Sequence, residues 1–145
     1  MRVLLDTHLL LLSVASSRRL PKGARSLILD AANEVFYSAA SVWEVAIKSA
    51  LRRRDFKADP TVLVRALAQS GFSELPVTAA HAARVAGLPA IHRDPFDRLL
   101  VAQSLAEPMT LSSRMTRYWC ATVRWYSWCD VVGVTRCPGR PRGKT

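Results

Sequence analysis

The chain is poor in the residues that define several protein classes. Its three cysteines, Cys120, Cys129 and Cys137, are odd in number and irregularly spaced. That excludes a closed disulfide framework and matches no zinc-knuckle pattern, so free thiols in the reducing cytoplasm are expected. Six glycines and eight prolines in 145 residues exclude collagen-like and low-complexity architectures. No apolar run approaches the roughly 18 residues of a membrane span. The apolar opening imitates a signal peptide but is interrupted by Asp6 and His8. A glycine-rich phosphate loop, a His-Glu-x-x-His pair and a nucleophile-elbow serine are all missing, which leaves nucleotide-loop, zinc-protease and serine-hydrolase chemistry without support. His8, His81 and His92 are scattered along the chain and read as surface or supporting residues rather than metal ligands.

Acids are scarce as well, 11 against 21 Lys and Arg, for a formal charge of +10. A balance of that sign favours polyanionic partners such as nucleic acid. The excess is uneven: residues 112–145 hold seven basic residues against the single acid Asp130, whereas residues 1–111 hold 14 against 10. The same terminal stretch carries every cysteine and three of the four tryptophans, so composition changes abruptly near Ser112. Half of the residues are hydrophobic, which at this length predicts one compact globular domain.

Patterning predicts strands that alternate with helices. Arg2 to Asp6 reads as a short buried strand, followed by helices over Leu9 to Val14 and Pro21 to Ala31 and a strand over Glu34 to Ser38. A helix opened by Ser41 runs to Arg53, another covers Thr61 to Gln69, and Phe72 to Val77 is a third strand. Thr78 caps a short helix ending near Gly87, Asp94 opens a helix through Leu105, and Met109 to Leu111 begins a fourth strand. This order predicts a parallel α/β sandwich whose site lies beyond the strand carboxyl ends, at a topological switch point.

Four acids, Asp6, Glu44, Asp94 and Asp97, fall at ends or first turns of these elements. Structural roles compete for three of them. Glu44 lies three residues after Ser41, the capping-box spacing, Asp94 before Pro95 reads as an N-cap, and Asp97 as a first-turn acid that suits the helix dipole. Asp6, directly after an apolar strand, is expected to have no helix terminus to complement and so to need another partner. Carboxylates that meet in one cleft repel one another unless their pKa values rise or a divalent cation binds. Oxygen ligands favour Mg²⁺ or Mn²⁺, and such an ion activates water for attack on a phosphodiester. Lys48 and Arg52, with Arg53 and Arg54, lie on the helix that carries Glu44 and are placed to track an RNA backbone; Arg93 and Arg98 flank the second acid pair and are placed to touch phosphate.

Three segments in this order and spacing carry a resemblance: Leu4-Leu5-Asp6-Thr7-His8, Ser38-Ala39-Ala40-Ser41-Val42-Trp43-Glu44, and His92 through Gln103 with Asp94-Pro95-Phe96-Asp97-Arg98 at its start. Over residues 1–111 the chain resembles PIN-domain proteins of the VapC toxin family. The resemblance implies a three-layer α/β/α sandwich around a parallel sheet. It implies the toxin component of a type II toxin–antitoxin system, an endoribonuclease that uses Mg²⁺ or Mn²⁺, and it implies a VapB-like antitoxin as partner, RNA as substrate and a homodimer. It assigns the metal to Asp6, Asp97, Glu44 and Asp94, with Asp6, Glu44 and Asp97 as the catalytic set. A module that captures antitoxin or RNA without cleaving is the alternative.

The match breaks after the fourth strand, where the family usually has a further acid and this chain has Ser113-Arg114-Met115. The composition change at the same place points to a terminal segment read in a shifted frame. The codons for Met115-Thr116, taken one base out of register, necessarily spell an aspartate. Residues 1–111 are therefore expected to form the domain core, 112–137 a divergent continuation and 138–145 a disordered basic tail.

Overall fold

A computed structural model of the chain describes residues 1–51, 56, 58–89 and 94–113. The expectations for the chain from Arg114 onward, and for Arg52 and Arg93, lie outside the described residues. Met1–Ser113 pack as one compact unit.

The elements follow in the order β1 (Arg2–Leu5), α1 (Thr7–Val14), α2 (Lys22–Leu29), β2 (Glu34–Ser38), α3 (Ala39–Ala50), α4 (Pro60–Gln69), β3 (Ser73–Leu75), α5 (Ala79–Arg84) with a 3₁₀ turn over Val85–Gly87, α6 (Pro95–Ala106) and β4 (Thr110–Ser112). All strand pairs are parallel, in the order β3-β2-β1-β4. The α/β expectation holds, with a central parallel sheet between helical layers.

The two central strands, β1 and β2, are apolar on both faces because both are covered. Val3, Leu5, Val35 and Tyr37 pack with Leu10 of α1, Val45 of α3 and Leu63 and Leu67 of α4. The alternate residues Leu4 and Phe36 turn to the opposite side, against Leu75, Met109 and Leu100 of α6. Right-handed crossovers account for the division: the chain steps from β1 to β2 to β3 with α1–α4 on one face, then reverses across the sheet to β4 with α5 and α6 on the other. That reversal puts the switch point between β1 and β4, where Asp6 N–H donates to Ser112 O at 3.0 Å.

Two polar ties hold the second layer. Gln103, fully buried on α6, accepts from Ser38 Oγ at 2.6 Å and donates to Pro76 O at 3.2 Å, which joins the ends of β2 and β3 to α6. His81, 2% exposed, accepts the Thr78 N–H on Nδ1 at 3.2 Å, so its proton sits on Nε2, 3.1 Å from Glu107 Oε1. The N-cap of α5 is thereby linked to the C-cap residue of α6. At the sheet edge Tyr37 donates to Glu74 at 3.4 Å; burial first, then the Glu74 charge, pushes its phenol up. No helix among the described residues is long and apolar enough to cross a membrane.

His81→Ala removes both contacts and leaves a buried gap, so it is expected to lower unfolding stability by about 3 kcal/mol. His81→Asn, whose amide oxygen can still accept from Thr78, is expected to lose about half as much. Urea denaturation of the two variants checks the order.

Candidate active site

Asp6 follows β1 directly and is 7% exposed. Its environment corrects the sequence expectation, because α1 begins at Thr7 and Asp6 is its N-cap, with Oδ1 accepting from Leu9 N–H at 2.7 Å. The carboxylate therefore does complement a helix terminus, and the dipole of α1 favours its charge.

Glu44 is the second correction. The N-cap of α3 is Ser38, whose Oγ accepts from Ala40 N–H at 3.0 Å, so the helix starts two residues before Ser41 and no Ser41–Glu44 capping box forms. Glu44 instead lies mid-helix with its side chain 9% exposed, a place where a carboxylate does nothing for helix ends. Its charge is compensated by two donors. Thr7 Oγ1 donates to Oε2 at 2.6 Å, and the Lys48 ammonium, one turn along the same helix, contacts Oε1. Since Thr7 adjoins Asp6, that hydrogen bond draws the end of β1 and the middle of α3 together.

Asp97 lies in the first turn of α6 and is half-buried. The residues just before Glu44 and Asp97, Trp43 and Phe96, meet edge to face with centroids 5.2 Å apart, so α3 and α6 approach each other where their acids sit. Asp94 is exposed, and its Oδ1 caps α6 by accepting from Phe96 N–H at 2.8 Å. The capping alternative weighed for Asp94 is the geometry it adopts.

The basic residues divide. Lys48 reaches Glu44, with 37% of its side chain exposed. Arg98, expected to touch phosphate, spends its guanidinium on chain carbonyls instead: Nη1 donates to Pro89 O at 2.6 Å and Nη2 to Val85 O and Leu88 O at 3.0 Å. It fastens the loop after α5 to the start of α6. His8 is exposed and His81 structural.

Asp6, Glu44 and Asp97 offer only hard carboxylate oxygens, a donor set that fits Mg²⁺ or Mn²⁺. A hydroxyl buried one turn before Glu44 adds to that fit: Ser41 Oγ, on a residue 1% exposed, finds no hydrogen-bond partner among the described residues. Convergence is incomplete, however, since among the described residues no three His, Cys, Asp or Glu side chains come close enough to hold a metal. Sequence reasoning did not find Thr7, Ser38 or Gln103; the Glu-to-Lys spacing of four from Glu44 to Lys48 was the one available signal for that ion pair.

Thr7→Val, close in shape, strips a buried carboxylate of a donor and is expected to cost about 2 kcal/mol in chemical denaturation. Ser41→Ala, which removes an unpartnered hydroxyl, is expected to be neutral or to gain up to about 1 kcal/mol in the same measurement.

Comparison with known proteins agrees with this fold. The family model for the PIN domain matches residues 3–113. Among solved structures, a chain of the crystal structure of VapBC2 from Rickettsia felis bound to a DNA fragment from their promoter is similar, with a TM-score of 0.57 and 14% sequence identity over 83% of this chain and 92% of that one. At that identity the likeness is one of fold. No curated protein matches the chain. A parallel sheet with its switch point beside Asp6 and a family match spanning most of the sequence together place this chain in the PIN-domain family.

Proposed function

We propose that the protein is a VapC-type toxin, an endoribonuclease that hydrolyses RNA phosphodiester bonds with the help of Mg²⁺ or Mn²⁺. The observation that carries this reading is the pairing of Asp6 with Glu44 through Thr7 at the switch point of the sheet. Two carboxylates 38 residues apart are withdrawn from water there, within a chain of formal charge +10.

Asp6, Asp97 and Glu44 would hold the cation and orient its water, and Asp94 would add negative charge from the exposed side. A dication bound by these residues supplies the positive charge that lowers the pKa of water and offsets charge developing on phosphate. Of the basic residues, Lys48, Arg52 and Arg93 are assigned to the RNA backbone, which fixes position without reading sequence. Arg98 ties Val85, Leu88 and Pro89 to the start of α6. The partner proposed is a VapB-like antitoxin, in a cytoplasmic complex that also contains a homodimer of this chain. An apolar row along α3 and its C-cap supports a covered face: Trp43, Ile47 and Leu51 recur every fourth residue, and Trp43 is 60% exposed.

Asp6→Asn is the sharpest test, because asparagine caps a helix as well as aspartate does and the fold is therefore kept. Cleavage of a fluorescently labelled RNA in Mg²⁺ is expected to fall by about a hundredfold or more, with circular dichroism unchanged. Equal cleavage by the variant, or cleavage by the native chain that persists in EDTA, overturns the metal mechanism. RNA binding with no product at any Mg²⁺ concentration favours the non-cleaving module instead.

A further inference from the structure

We infer that Lys48 guards the metal site, holding Glu44 through an ammonium that a divalent cation must displace before Glu44 can serve as a ligand. The inference rests on the metal-dependent reading above and adds a control element to it. Glu44 has two oxygens, and each has a partner: Oε2 accepts from Thr7, and Oε1 meets Lys48. The two partners differ in how they respond to an arriving dication. The Thr7 hydroxyl is neutral and can turn its lone pairs, whereas the ammonium offers donors only and repels a second cation. Lys48 is also the partner that can leave, since its side chain is 37% exposed on a flexible stem, while Glu44 is 9% exposed and fixed between α1 and α3.

The spacing favours this pairing whether or not metal is present, because a glutamate four residues before a lysine on a helix is the better orientation for such a pair. Lys48 thus neutralises a buried charge that would otherwise destabilise the fold, and the same contact raises the metal concentration needed to complete the site. The Lys48–Glu44 contact and metal binding are linked, so each opposes the other by an equal factor.

Mn²⁺ binding measured on the full chain by electron paramagnetic resonance, with no RNA present, tests this. Lys48→Met is expected to bind Mn²⁺ about tenfold more tightly than the native protein, whereas Lys48→Arg, which keeps a cation beside Glu44, is expected to stay within about threefold. Thermal denaturation gives a second readout: Lys48→Met should melt lower in EDTA and gain more in Tm on addition of Mn²⁺ than the native chain does. If the native protein binds Mn²⁺ and Lys48→Met binds it no more tightly, the guard role is overturned and the metal reading stands. If neither protein binds Mn²⁺, both are overturned.

Discussion

A carboxylate withdrawn from water in the middle of a helix has to be compensated by its neighbours, and the compensation of Glu44 organises the rest of the site. Removing one hydrogen-bond donor from a buried charge costs about 2 kcal/mol. The chain therefore has to deliver donors to that point from separate elements. Thr7 comes from the start of α1 and Lys48 from the next turn of α3. Because Thr7 follows Asp6 without an intervening loop, satisfying Glu44 also fixes where the Asp6 carboxylate lies. One hydrogen bond of 2.6 Å thus couples the end of the first strand to the third helix.

Topology decides where that coupling sits. The order β3-β2-β1-β4 puts the topological switch point beside β1, and Asp6 N–H bonded to Ser112 O keeps β4 in register there. Asp6 and Asp94 serve as helix caps in addition to anything they do for a cation, so their charges are already favoured by helix dipoles. Glu44 has no such benefit. Its position makes structural sense only through the side chains around it.

Much of this was legible from the residues alone. Glu34–Ser38 is a strand with the expected limits, and the helix opened by Asp94 and Pro95 starts where the capping signal places it. The errors have identifiable physical origins. The helix expected over Leu9 to Val14 forms, but an unbroken apolar run does not mark where it begins, so the start at Thr7 and the cap by Asp6 were hidden. Two serines precede Glu44, and the capping-box spacing favoured Ser41, whereas the one that caps is Ser38, fixed at the end of β2 and tied to Gln103. Arg98 looks like a phosphate ligand by composition, but its partners are backbone carbonyls brought close by a turn with no charge signature. Tertiary hydrogen bonds between neutral groups leave almost no trace in a single sequence.

The central claim is that acids from three separate elements share one divalent cation at the carboxyl end of β1. Crystals of the protein grown with Mn²⁺ and measured at a wavelength where manganese scatters anomalously test it directly. The account predicts a peak between the Asp6 and Asp97 carboxylates, with Glu44 beside it and the Lys48 ammonium withdrawn. A peak elsewhere on the surface, or none at millimolar Mn²⁺, would contradict it.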